Sequence, residues 1–162
     1  MKVKLAIAAG LLLALGGCGS GGENVANEAE TALVTVTIAT AEGPRTLKLE
    51  VADSEAEQTR GLMYRSNIPP DGGLLVAPYP PNGGAPEEVN FWTKNVPVPI
   101  DFIFIRPDGT IARIAENALP LSEARIPSGE PVAAIIEING GRSAELGISP
   151  GDAVSWRGQK KQ

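Results

Sequence analysis

A mainly β fold, an antiparallel jelly-roll-like sandwich or barrel with one or two short helices, is what this sequence predicts, and three observations predict it. Short runs of alternating apolar and polar residues recur along the chain, the period-2 pattern of strands with one face buried. The runs are separated by turn-forming residues, drawn from 19 glycines and 14 prolines, as many short strands require. No intervening stretch offers the long helical crossovers of a repeated βαβ sheet. At 162 residues the chain suits one domain, since a domain commonly takes roughly 100–200 residues.

Taken in order, Leu33–Ala39 and Arg45–Val51 alternate around the break Ala41-Glu42-Gly43-Pro44, which predicts a hairpin. Ser54-Glu55-Ala56-Glu57 fits a capping box, in which hydroxyl and carboxylate each satisfy an orphan amide, so a short helix should run toward Met63. Pro69-Pro70-Asp71-Gly72-Gly73 and the span Pro78–Pro86 are turn-rich loops flanking a short strand at Leu74–Val76, and the second is long enough to be a lid or rim. Glu88–Thr93 and Val98–Ile105 read as strands, and Arg106-Pro107-Asp108-Gly109 turns the chain into Thr110–Ala115. After a proline-rich connection come a strand at Val132–Asn139, a helix around Ser143–Leu146 and a final strand at Ala153–Trp156.

The amino-terminal segment has a different character. Met1-Lys2-Val3-Lys4, an apolar run from Leu5 to Leu15 and then Gly16-Gly17-Cys18 follow the charged, apolar, small-residue order of a secretory signal. The run is too short to span a bilayer. Leu15-Gly16-Gly17-Cys18 resembles the lipobox of bacterial lipoproteins, which implies lipidation of Cys18 as the new first residue. The sequence is therefore divided into a signal peptide at 1–17, a flexible tether at 18–31, a single β domain at 32–158 and a tail at 159–162. The expected location is the bacterial envelope, lipid-anchored and facing the periplasm, with Gly19 and Ser20 favouring the outer membrane.

Charge and residue inventory exclude several chemistries. The net charge of −5 becomes more negative if Lys2 and Lys4 leave with the signal, which disfavours nucleic acid as a partner because phosphate binding rests on cationic contacts. The chain has no histidine, so the commonest general base and metal ligand is missing and every Ser-His or Cys-His arrangement is excluded. Cys18 is the only cysteine and cannot form an internal disulfide. No Asp-x-Asp-x-Asp loop is present, and neither a metal site nor a cofactor is expected. The partners expected are the membrane, through the lipid, and a saccharide or protein of the envelope.

Three groups of residues carry a resemblance. They are Val51-Ala52-Asp53 with Arg60-Gly61-Leu62-Met63-Tyr64-Arg65, Phe91-Trp92-Thr93-Lys94-Asn95 with Pro99-Ile100-Asp101, and Glu137-Ile138-Asn139-Gly140 with Gly147-Ile148 and Pro150-Gly151-Asp152. Together they resemble domain-of-unknown-function family 192 over roughly Leu47–Val154 in one consistent order. The chain departs from the family pattern at Thr93, Val98 and Pro99 and in an enlarged loop around Asn82-Gly83-Gly84. The resemblance implies a compact all-β domain, often exported, and no particular activity.

Asp101 and Glu137 are the candidate catalytic residues. Period-2 alternation puts Asp101 on a face with Ile103 and Ile105, and Glu137 on a face with Ile135 and Ala133. Buried acids need partners, and Arg60, Arg65 and Lys94 are the expected cations. A structural charge network is one outcome. A ligand site is the other, with Trp92 stacking on a ligand while Lys94, Asn95, Asp101, Arg60 and Arg65 meet its polar edge. Three functional classes stay open: a non-catalytic binding module for a saccharide or other envelope component, a carboxylate-dependent hydrolase of envelope carbohydrate, and an accessory protein that docks a partner through an exposed apolar patch. The balance leans away from an enzyme.

Overall fold

In a computed structural model of the chain, residues 33–159 are described. The expected signal peptide, Cys18 and the tether lie outside them, as does the tail from 160 onward. Within them the order is β1 (Val34–Thr40), β2 (Gly43–Ala52), α1 (Glu55–Arg60), β3 (Leu74–Val76), β4 (Asn90–Phe91), β5 (Ile100–Ile105), β6 (Ile111–Ala118), β7 (Ile126–Pro127), β8 (Ala134–Asn139), α2 (Arg142–Glu145) and β9 (Ala153–Trp156). None of the described helices is long and apolar enough to cross a membrane.

Seven strands form one curled sheet in the order β6-β5-β8-β3-β2-β1-β9. An isolated bridge between Thr110 and Ala153 brings its two edges together, making a half-barrel. The fold is mainly β with two short helices, as the sequence predicts. One feature differs: β2 and β3 pair in parallel, with Glu50 opposite Leu74 and Ala52 opposite Val76. A parallel pair needs a crossover rather than a hairpin, and segment 53–73, which contains α1, supplies it. The capping box forms as expected, with the Ser54 amide donating to Glu57 Oε2 at 3.1 Å and the Glu57 amide to Ser54 Oγ at 3.4 Å.

The central strands are buried on both faces. All residues of β3 and β5, and all of β8 except Asn139, are buried, so alternation sorts them between two cores. Every strand of the sheet contributes to the inner one, which contains Val36, Leu47, Leu75, Ile103, Ile111, Ile136 and Val154. The outer one takes the alternate positions Leu74, Val76, Ile100, Phe102, Phe104 and Ile135 and closes them under Leu62, Ile68, Val89, Val96 and Val132. Each such side chain contributes about 1.5–3 kcal/mol when fully buried, so neither face can be left open to water. The cover is segment 53–73 together with the small ribbon in which β4 pairs with β7. At the edge of this cover Gly73 has φ +148, and an added Cβ would lie 2.2 Å from the Glu137 carbonyl oxygen. Only glycine lets the crossover return to the sheet there.

Candidate functional site

The seam between the covering pieces opens into a cavity of about 560 Å³. One wall is α1 with Ser54, Glu55, Gln58 and Thr59, another is the loop residues Tyr79, Pro80, Pro81 and Asn82, and the third is Glu87, Asn90, Phe91, Trp92 and Arg125 on or beside the ribbon. The loop expected as a lid or rim thus contributes to the rim. Its position is fixed by Gln58, whose Nε2 donates to the carbonyls of Ala52 at 3.1 Å and Pro78 at 2.8 Å, and by the Tyr79 amide, which donates to Ala133 at 2.9 Å. Gln58 Oε1 is buried without a hydrogen-bond partner.

The aromatic wall is anchored in the outer core. Phe91 packs 5.4 Å from Phe102 and 6.1 Å from Phe104, centroid to centroid, and Tyr79 packs 6.5 Å from Phe91. Burial and the nearby Glu87 carboxylate push the Tyr79 hydroxyl above its ordinary pKa. Buried Thr93 locks the end of the ribbon: its amide donates to the Ser122 carbonyl at 3.2 Å, its hydroxyl donates to the Leu119 carbonyl, and the Ser122 amide returns a bond to Oγ1 at 3.2 Å. Rigid neighbours on both sides therefore hold Phe91 and Trp92 in place. The Arg125 guanidinium stacks 4.2 Å from the Trp92 ring centroid, and Lys94 Nζ lies 5.7 Å from it. Lys94 is engaged by Glu123 at 3.0 Å.

The remaining expected residues lie elsewhere. Asn95 has φ 61, and its carbonyl accepts from the Tyr64 amide at 2.7 Å, joining two loops away from the cavity. Asp101 is completely buried. Its Oδ1 accepts from the amides of Asn117 at 2.7 Å and Gly141 at 2.8 Å, and its Oδ2 accepts from Ser143 at 2.8 Å. The expectation of a cationic partner for Asp101 is therefore corrected: three backbone amides hold it, fastening the end of β6 and the first turn of α2 to β5. It has no surface to offer a ligand. Arg65 makes a two-pronged pair with Glu50, at 2.5 and 2.7 Å, and this guanidinium holds the Glu50 carboxyl below its ordinary pKa. Arg60, at the exposed end of α1, adds a weaker pull on the same carboxyl.

Glu137 belongs to the outer face, in the cross-strand row Glu50, Leu74, Glu137, Phe102. Gly61 lies directly over it, since a Cβ there would be 3.2 Å from Oε1. Burial pushes the Glu137 carboxyl up to about 7, opposed by the Leu62 amide and the charge of Arg65. Arg65 thus acts on Glu137 only from a distance, because its hydrogen bonds are spent on Glu50. Asp101 pairs in register with Ile138, and Glu137 with Phe102. Neighbouring positions point to opposite faces, so the two acids flank the sheet and cannot close on one glycosidic bond. Among the described residues no three or more of His, Cys, Asp and Glu gather where they could hold a metal. Of the cavity-lining residues only Trp92 is among the expected site residues; those that sequence reasoning missed include Tyr79, Asn90, Gln58, Glu55, Glu87 and Arg125. Arg125 lies in a proline-rich connection without periodicity, and nothing local signals its stacking on Trp92.

The profile of the DUF192 family, described as an uncharacterized ACR, matches residues 36–156. Two crystal structures are similar. A Sinorhizobium meliloti 1021 protein described as a candidate transcription regulator is 42% identical, with TM-score 0.73, covering 80% of this chain and 97% of its own. A protein of unknown function from Novosphingobium aromaticivorans DSM 12444 is 38% identical, with TM-score 0.71, covering 76% of this chain and 85% of its own. No curated protein matches the chain in sequence.

Two stability measurements test these assignments. Asp101→Asn replaces an acceptor oxygen by a donor facing an amide, and urea unfolding should show a loss of about 3 kcal/mol. Glu137 behaves differently. Between its ordinary value of 4.5 and about 7 the folded protein keeps a proton that the unfolded chain has released, so stability is greatest below that window and falls as pH rises through it. The fall should approach about 3 kcal/mol and should disappear in Glu137→Gln. An unchanged pH profile in that variant would contradict the assignment.

Proposed function

The chain belongs to the DUF192 family, and from that premise we propose that this member is a non-catalytic binding module for a saccharide, using the cavity between α1, the Tyr79–Asn82 loop and the ribbon. The observation that carries the reading is the composition of the cavity. Phe91, Tyr79 and Trp92 supply aromatic surface, and Gln58, Asn82, Asn90, Thr59 and Ser54 surround it with amides and hydroxyls. Flat apolar surface beside a few fixed polar groups is the mixture that recognises a sugar, whose ring carries C–H faces and a hydroxyl edge. The volume of about 560 Å³ falls within the range of small-molecule sites. The placement of Asp101 and Glu137 on opposite faces weighs against a carboxylate hydrolase built on that pair. The description of one similar structure as a candidate regulator raises nucleic acid as a ligand for this chain, but its net charge of −5 and pI of about 4.8 weigh against that.

A second reading, a docking surface for a protein partner, has its own observation. Tyr64, Leu119 and Leu121 are exposed large apolar residues, and Tyr64 and Leu121 hold left-handed backbone at φ 66 and 53. Their amides donate to the adjacent carbonyls of Asn95 and Val96, so they surround one junction. Strained, exposed apolar residues in one place suit an interface. Leu119→Ser together with Leu121→Ser should then release a partner cross-linked in native envelopes while leaving sugar binding intact.

The saccharide reading is tested by thermal unfolding of the protein with a panel of envelope oligosaccharides. A ligand at 100 times its Kd adds about 2.7 kcal/mol of stability, and the resulting rise in Tm should vanish in a folded Trp92→Ala variant and persist in Asp101→Asn. A rise that survives Trp92→Ala, or no rise with any sugar, would overturn the reading.

A further inference from the structure

We infer that the saccharide bound beside Trp92 carries a carboxylate and that Arg125 holds it. The inference rests on the saccharide reading above and adds the charge of the ligand. Two cations lie over the Trp92 ring, and they differ in what they have left to give. Lys94 is taken up by Glu123 at 3.0 Å. Arg125 is exposed and, like Arg60, Arg113 and Arg157, forms no ion pair among the described residues, but of these four it is the one that lines the cavity. Arg125 Cζ lies over the Trp92 ring, 4.2 Å from its centroid, and a cation–π contact uses the face of the guanidinium and leaves its N–H donors available. A planar fork held this way matches the two oxygens of a carboxylate.

The other charges of the cavity set the orientation. Glu55 and Glu87 line the same cavity as Arg125, and carboxylates only accept hydrogen bonds. They would take hydroxyl donors from the sugar and repel a second anionic group. The arrangement therefore suits one acidic group at Arg125 with hydroxyls presented to the acids, and it disfavours a polyphosphate or a densely charged polyanion.

The test uses the full chain and two matched pairs of probes, each with a single acidic group in its charged member: galacturonic acid against its methyl ester, and N-acetylmuramic acid against N-acetylglucosamine. In each pair one member carries a carboxylate that the other lacks. Calorimetric titration should show the acid bound about tenfold more tightly in at least one pair, the scale of one charge-assisted contact. In Arg125→Gln the ratio of acid to neutral affinity should fall to about one, with thermal unfolding confirming that the variant is folded. Equal binding of acid and neutral forms, or a preference that survives Arg125→Gln, would overturn this inference and leave the saccharide reading standing. Failure of all four probes, together with the failure of the wider oligosaccharide panel, would overturn both.

Discussion

A sheet that is apolar on both faces must be covered on both, and most of this architecture follows from that constraint. Curling satisfies one face, because the seven strands wrap around Leu47, Leu75, Ile103 and Ile136. The other face cannot cover itself. Phe102, Phe104, Leu74 and Ile135 are closed instead by the crossover between β2 and β3 and by the ribbon of β4 and β7. The cavity lies where these two pieces of chain meet, between α1 and the ribbon. Its aromatic wall is an extension of the core, since Phe91 packs on Phe102 and Phe104 and also faces the opening.

The two buried acids stand at the margins of this arrangement. Asp101 replaces a missing turn of regular structure with three amide contacts, from Asn117, Gly141 and Ser143. One side chain thereby fixes a bend in β6 and the start of a helix of four residues, too short to hold itself. Glu137 lies beneath Gly61 and Leu62, where the crossover passes over the sheet. Its raised pKa comes from burial under that cover, not from a catalytic neighbour.

The sequence makes the strands legible because alternation is a local property. Ile100–Ile105 reads as apolar throughout, and it is buried on both faces. The same alternation places Asp101 and Glu137 on their correct faces, though not on opposite sides of one sheet, because that depends on the register between β5 and β8. The parallel pairing of β2 with β3 is likewise invisible: Leu74–Val76 is too short to show which neighbour it joins. Trp92, singled out in the sequence by its chemistry, lines the cavity. Arg125 is not legible in the sequence, because its role depends on a contact across the proline-rich connection, where no periodicity guides the eye. The cationic partner expected for Asp101 fails for a related reason, since composition counts side chains and overlooks the backbone amides that met the need.

Fluorescence offers the most direct measurement of whether the cavity beside Trp92 is a saccharide site. The chain has two tryptophans, and Trp156 packs against the inner core, so Trp156→Phe leaves Trp92 as the sole reporter. Titration of that variant with the oligosaccharide panel should give a saturable shift in emission for a binding sugar, with the same midpoint found by calorimetry. Binding seen by calorimetry without any change at Trp92 would place the ligand elsewhere, and contradict the account.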